Sequence, residues 1–103
     1  MASGATGRAG RMTHILHLPA RLDLPAARPL AAQIRAAMDD DLSLNAAGVE
    51  HLGAICLQTL LGAAQAFAAR GLVLTIAPRS AAFEDALARF GATAHFAGCR
   101  GVT

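Results

Sequence analysis

The sequence predicts a single α/β domain built from strands that alternate with helices. Short apolar runs typical of strands are separated by longer segments with apolar residues at helical spacing, which favours an α/β sheet. The chain has 103 residues, 54% of them hydrophobic, which suits one core and leaves too little chain for a second domain. Each predicted strand has one strongly apolar face, so we expect helices mainly on one side of the sheet.

The N-terminal part is predicted to hold an extension and two short strands. Residues 1–11 are small and Gly-rich without periodicity, which indicates a disordered extension. Residues 12–103 then form the single domain. Residues 15–18 and 21–23 are predicted as its first two strands.

The first helix is predicted to begin at Asp23 and Pro25, a helix cap and a first-turn proline. Pro29 is expected within the first turn, or else the early part of the helix is irregular, because a proline deeper in a helix removes a backbone hydrogen bond. The inner face carries apolar residues spaced by four, namely Leu30, Ile34 and Met38. The three acids at residues 39–41 are predicted to form a solvated turn.

A strand and an apolar helix form the centre of the chain. Residues 42–46 alternate apolar and polar side chains, as a half-buried strand does. A helix is predicted from Ile55 to Arg70, and Gly71 follows as its C-terminal glycine. The inner face of this helix carries Leu57, Leu60, Leu61, Ala64, Phe67 and Ala68.

The C-terminal part is predicted to add a strand, a third helix and a last short strand. The strand covers residues 72–77 and is expected to stop at Pro78. The helix begins at the cap residue Ser80 and ends at Gly91. Its inner stripe is predicted to be Phe83, Leu87 and Phe90. Residues 93–96 are predicted as the final strand.

Charge and aromatic content argue against nucleic-acid binding. All nine basic residues are Arg, and Arg8 and Arg11 lie in the predicted extension. The remaining body has seven Arg against seven acidic residues, so it lacks the basic surface that nucleic acid requires. The chain has four Phe and neither Trp nor Tyr, which leaves little for base stacking.

The cysteine count and the hydropathy pattern predict a cytoplasmic domain. Two cysteines, Cys56 and Cys99, are fewer than a secreted scaffold of this size would carry. No apolar run approaches the roughly 18–20 residues that span a bilayer, and the N-terminus lacks a signal peptide's apolar core. We therefore expect that the chain does not insert into a membrane. We also expect that Cys56 is a small buried side chain.

The segment between the central strand and helix resembles the centre of a STAS domain, the module of anti-sigma-factor antagonists. The strand at 42–46, the turn at 49–54 and the helix from Ile55 follow one another as in that family. The family's turn reads Asp-Ser-Ser-Gly-Leu or close to it, and a hydroxyl there is phosphorylated as a switch. The matching residues of this chain are Gly53, Ala54, Ile55, Cys56 and Leu57, which provide no hydroxyl.

The resemblance covers residues 14–92. It includes the stretch at 18–23 before the first helix, the strand at 71–76 and the end of the third helix at 90–92. It implies a mixed sheet of four to five strands with helices mainly on one face. Within the family, the hydroxyl-free chain most resembles the STAS proteins that accompany bacterial chemotaxis signalling.

The resemblance places a partner-binding surface at the turn before the second helix. Ala54 and Ile55 stand at the phospho-acceptor positions, so phosphorylation at this turn is not expected. We predict that the partner-binding residues are Val49, His51, Gly53, Ala54, Ile55 and Cys56. Two alternatives stay open for Ile55, which either contacts the partner or turns inward to the core.

No catalytic, cofactor or metal site is predicted. His14 and His17 are three apart in an extended segment, so they point to opposite faces of the sheet. His51 is interpreted as a surface histidine. No Ser lies in a nucleophile-elbow context, and the chain has no lysine for a phosphate-binding loop.

The sequence therefore predicts a non-catalytic STAS-type adaptor that binds a signalling partner. By resemblance, that partner is a histidine kinase or a response regulator, with chemotaxis as the favoured pathway. Two alternatives keep the fold: an anti-sigma-factor antagonist, and the STAS subunit of an ABC-type phospholipid transporter that binds its ATPase. A small enzyme or nucleotide binder is disfavoured because the phosphate loop and catalytic sets are missing.

Overall fold

Strands and helices alternate through residues 13–99, the part of the chain that the computed structural model describes. The predicted extension at residues 1–11 lies outside the described residues. In chain order the elements are β1 (Thr13–His17), β2 (Arg21–Leu22), α1 (Leu24–Ala36), β3 (Asp41–Ala46), β4 (His51–Leu52), α2 (Ala54–Ala69), β5 (Leu74–Arg79), α3 (Ala81–Arg89) and a 3₁₀ helix (Thr93–Cys99). This order confirms the α/β class.

Every strand pair among residues 13–99 is parallel. The central sheet has the order β1-β3-β5, and β2 pairs with β4 in a separate two-stranded sheet. A helix lies between the two strands of each pair, and such crossover connections impose parallel pairing. The five described strands match the predicted number, but they form two parallel sheets instead of one mixed sheet.

The central sheet buries one of its faces. Leu42 and Leu44 of β3 and Ile76 of β5 are buried. Ser43 and its register partner Thr75, which alternate with them, are only half-buried. Because side chains alternate across a strand, this pattern confirms that the helices lie mainly on one face.

α1 begins where the sequence predicts, but it contains an interior proline. Asp23 is its N-cap residue, although its side chain accepts from Arg21 Nε at 3.3 Å instead of capping the helix. Pro29 lies in the second turn, so its predicted first-turn position is wrong. The buried side chains of Leu30 and Ile34 hold this part of α1 against the core.

Asp41 departs from the solvated turn predicted for residues 39–41. It is the first residue of β3 and is 4% exposed. Its Oδ1 accepts a hydrogen bond from the backbone N–H of Val73 at 2.9 Å. A buried carboxylate requires such donors, and the start of the neighbouring strand segment supplies this one.

Two C-terminal predictions are wrong. β5 continues through Pro78 to Arg79, which its edge position in the described sheet permits, because an edge strand does not use every backbone N–H. Residues 93–96 belong to a 3₁₀ helix and not to a strand. Phe96, buried in this helix, anchors it to the core.

α2 and α3 agree with the predicted helices except at Ala68 and Phe90, which were predicted for inner faces and are exposed. Gly71 and Gly91 follow the two helices with φ of 71° and 68°, the left-handed conformation typical of helix ends. Ser80 Oγ accepts from the N–H of Phe83 at 3.0 Å and caps α3. Phe90, predicted for the inner stripe, is 46% exposed because α3 ends before it.

Candidate functional site

Two helices begin side by side because the strands that precede them are paired. Leu22 at the end of β2 lies opposite Leu52 at the end of β4. The next residue in each case is a helix N-cap, Asp23 for α1 and Gly53 for α2. The first turns of α1 and α2 are therefore neighbours, and the two helices pack against each other.

The close approach of the two helix starts explains the glycine at position 53. The N–H of Gly53 donates to the carbonyl oxygen of Leu22 at 2.8 Å. A Cβ atom on Gly53 would lie 3.3 Å from that same oxygen, which is tighter than an ordinary van der Waals contact. The φ of −92° is open to any residue, so the requirement comes from this contact.

The buried side chain of Cys56 links the two helix starts. Its Sγ donates a hydrogen bond to the backbone carbonyl oxygen of Asp23 at 3.3 Å, and the residue is fully buried. Burial raises the pKa of the Cys56 thiol, and the negative charge of Asp23 raises it further. The protonated thiol is a buried structural group, as predicted from the sequence.

The predicted partner-binding residues divide between the core and the surface. Val49 and Cys56 are buried, with 1% and 0% of their surface exposed. Their side chains are therefore closed to direct contact. His51, Ala54 and Ile55 are exposed, and Ile55 retains 47% of its surface. Of the two alternatives for Ile55, the structure places its side chain outward.

Leu24, which was not among the predicted partner-binding residues, joins this surface. It is the first residue of α1, is 71% exposed, and follows Asp23, the residue that Cys56 contacts. Its position directly after a helix cap could have indicated exposure. Its closeness to the start of α2 follows only from the pairing of β2 with β4. We call Leu24, Ala54 and Ile55 the apolar edge.

Polar groups border the apolar edge. Arg21 and His51 are register partners on β2 and β4, and both are exposed. Arg21 Nε also donates to Asp23 Oδ2 at 3.3 Å, an exposed ion pair that contributes little to stability. An apolar centre with a polar rim is the arrangement typical of protein interfaces.

The start of α2 carries no hydroxyl group. Residues 49–57 contain neither Ser nor Thr. The hydroxyl of Thr59, one turn further on, donates to the carbonyl oxygen of Ile55 at 3.0 Å. The hydroxyl of Ser80 donates to the carbonyl oxygen of Val49 and also caps α3. The helix start could favour a phosphate electrostatically, but no oxygen there can accept one.

The histidines of the central sheet lie apart. His14 Nε2 is 3.2 Å from Asp40 Oδ2, whereas His17 pairs in register with Asn45 and lies on the other face. Within residues 13–99, no group of three or more His, Cys, Asp or Glu side chains is placed to hold a metal ion. The helices of that same range are all too short or too polar to cross a membrane.

Comparisons with known proteins bear on the fold. No protein-family model matches the sequence, and no curated protein matches it. The crystal structure of a sulfate transporter family protein from Wolinella succinogenes is similar, with a TM-score of 0.67 and 20% sequence identity. The match covers 85% of this chain and 75% of that chain. A likeness at this identity shows the fold alone, and it confirms the predicted one.

Proposed function

We propose that this chain, which has a STAS-like α/β fold, is a non-catalytic regulatory adaptor that binds a signalling protein in the bacterial cytoplasm. The observation that carries the proposal is the joint exposure of Leu24 and Ile55, 71% and 47%, at adjacent helix starts. Exposed apolar side chains with a polar rim commonly mark interaction surfaces. The apolar edge is the surface that we assign to the partner.

Covering the apolar edge would stabilise a complex substantially. Full burial of an exposed leucine or isoleucine side chain contributes about 1.5–3 kcal/mol, and Leu24 and Ile55 would gain the share of this that belongs to their exposed 71% and 47%. Both side chains stand on helix starts that are fixed to each other by Gly53 and Cys56. Such a rigid surface loses little conformational entropy when a partner binds.

Binding is constitutive or controlled from the partner's side. Ala54 and Ile55 stand where the family carries its phospho-acceptor, and residues 49–57 offer no hydroxyl. A phosphate at this position would add negative charge to an apolar contact and disrupt it. This chain lacks that off-signal.

The proposed partner is a histidine kinase or a response regulator, in a chemotaxis pathway. The hydroxyl-free turn at residues 53–57 supports this choice, because such a chain most resembles the STAS proteins that accompany chemotaxis signalling. An anti-sigma-factor antagonist, which would bind an anti-sigma kinase, is the alternative within signalling.

A transport role is the second candidate, because the structural neighbour belongs to a sulfate transporter family. The specific form of this role that the resemblance to STAS proteins implies is the STAS subunit of an ABC-type phospholipid transporter. Its apolar edge would then contact the transporter's ATPase in place of a signalling protein.

The test measures binding to purified proteins of the same host by isothermal titration calorimetry. The proteins are the chemotaxis kinase, a response regulator, an anti-sigma kinase and an ABC-type ATPase. We expect saturable binding to the kinase or the response regulator, weakened by Ile55→Asp and retained by Phe90→Asp. Phe90 is a matched control because it is 46% exposed against 47% for Ile55, and it follows α3.

Each alternative has its own outcome in this measurement. Binding to the anti-sigma kinase or to the ATPase would support the adaptor role but contradict the assignment to a chemotaxis pathway. Absence of binding to all four proteins would contradict the adaptor proposal. If the Ile55→Asp variant binds its partner as tightly as the original chain does, the apolar edge is not the surface that binds the partner.

A further inference from the structure

A groove lies between α1 and α2, further along the two helices than the apolar edge. Its cavity of about 170 Å³ is lined from α1 by Ala31, Ile34 and Arg35, and from α2 by Thr59, Gly62 and Ala63. We call it the interhelix groove. A Cβ atom on Gly62 would meet no atom within 4 Å. Small side chains thus leave an open floor on which a third helix could pack closely.

Helical spacing places the apolar edge and the lining of the interhelix groove on the same side of α1 and α2. On α1, an outward stripe with spacings of four, three and four residues consists of Leu24, Arg28, Ala31 and Arg35. On α2, the same spacing carries Ile55, Thr59 and Gly62. Residues at these spacings share one face of a helix. The two stripes start at the same end, because β2 and β4 are in register.

The charged side chains of α1 and α2 are all basic. Neither α1 nor α2 contains an acidic residue, and α2 contains no charged residue at all. Arg28 and Arg35 are both exposed, and within residues 13–99 their guanidinium groups make no ion pair. They are seven residues apart, which is two helical turns or about 10.5 Å along the axis.

We propose that the interhelix groove binds an acidic amphipathic helix of the partner protein. The apolar face of that helix packs on the groove floor and the apolar edge, and its acidic side chains, two turns apart, pair with Arg28 and Arg35. Helix-in-groove recognition uses this geometry, and opposite charges fix the register. The inference rests on the proposed adaptor function and specifies the chemistry of the partner.

The experiment uses a displayed library of amphipathic helices with fixed leucines and random remaining positions, selected against the full chain. We expect the bound helices to be enriched in Asp and Glu two turns apart. Arg28→Glu and Arg35→Glu should each weaken a selected helix by about fivefold or more at low salt, because attraction becomes repulsion. Arg89→Glu, an equal charge change on α3, should leave the affinity unchanged.

A charge exchange separates recognition from a structural effect. A helix whose acids are replaced by lysines should bind the Arg28→Glu/Arg35→Glu variant better than it binds the original chain.

Several results would overturn the inference: no selected binder, binders without acidic enrichment, unchanged affinity in the Arg28→Glu variant, or a second copy of this chain occupying the groove in sedimentation. Signalling-partner binding that Ile55→Asp abolishes would still stand in those cases. Conversely, acidic helices bound in the groove without any signalling partner would overturn only the adaptor function.

Discussion

The Sγ atom of Cys56 donates a hydrogen bond to the backbone carbonyl oxygen of Asp23 across 3.3 Å. This bond joins the first turn of α2 to the N-cap of α1, two segments separated by 33 positions in the sequence. It holds Leu24 and Ile55, the exposed apolar residues next to the bonded pair, on one surface. The buried thiol thus helps to shape the surface that we assign to the partner.

The burial of Cys56 predicts a protected thiol. In a Cys99→Ser background, Cys56 should react with Ellman's reagent at least about tenfold more slowly in the folded chain than in urea, because burial raises its pKa and blocks access. Comparable rates in the two states would show that the thiol is accessible and would contradict the described contact.

The raised pKa of Cys56 also predicts the direction of a pH effect on stability. The folded state keeps its proton to higher pH than the unfolded state, so this contribution is fully present below the ordinary thiol pKa. It is lost as the pH rises from there through the raised pKa. Urea unfolding at neutral and alkaline pH should show a smaller alkaline loss for Cys56→Ala than for the original chain.

Two glycine substitutions should have opposite effects on stability. Gly53→Ala should lower the free energy of unfolding by about 1 kcal/mol, because its Cβ would press on the Leu22 carbonyl oxygen at 3.3 Å. Gly62→Ala should raise it by about 0.5–1 kcal/mol, because alanine favours the helix and meets no neighbour. Urea denaturation of both variants checks this, and a stabilising Gly53→Ala would contradict the close contact.

The buried acid at the start of β3 should contribute to stability. Asp41→Ala would leave the Val73 N–H without its acceptor at 2.9 Å and should cost about 1–3 kcal/mol. Asp41→Asn retains an oxygen acceptor and should cost less. Thermal unfolding of both variants measures the difference. Equal losses would show that the hydrogen bond to Val73 does not account for the effect.

The hydroxyl of Ser80 should stabilise the fold through two hydrogen bonds, of which the helix cap is only one. It accepts from the Phe83 N–H at 3.0 Å and donates to the Val49 carbonyl oxygen. Ser80→Ala removes both contacts and should cost about 1–2 kcal/mol. Ser80→Asp keeps only the acceptor and should restore part of this loss. Equal stability of the serine and aspartate chains would mean that the contact with Val49 contributes nothing.

Local signals predicted much of the fold. The alternation at residues 42–46, the Ser80 cap and the glycines after α2 and α3 act through neighbouring residues, so the sequence alone reveals them. The predictions that were wrong concern residues whose structure depends on contacts with distant parts of the chain. An edge strand tolerates Pro78, and the burial of Asp41 depends on Val73 from a distant segment.

The candidate site was only partly predictable for the same reason. The helix start and the missing hydroxyl follow from residues 53–57. The contribution of Leu24 does not, because it depends on the pairing of two strands of two residues each. A strand as short as His51–Leu52 gives no periodicity from which its partner could be inferred.

The most direct test of the account is the partner affinity of Leu24→Asp and Ile55→Asp beside Phe90→Asp. Leu24 and Ile55 lie in the first turns of α1 and α2, where an acidic residue favours the helix, so both variants should remain folded. Leu24→Asp and Ile55→Asp should each weaken binding by about tenfold or more, whereas Phe90→Asp should have little effect. Unchanged affinity of both edge variants, with their folds intact, would contradict it.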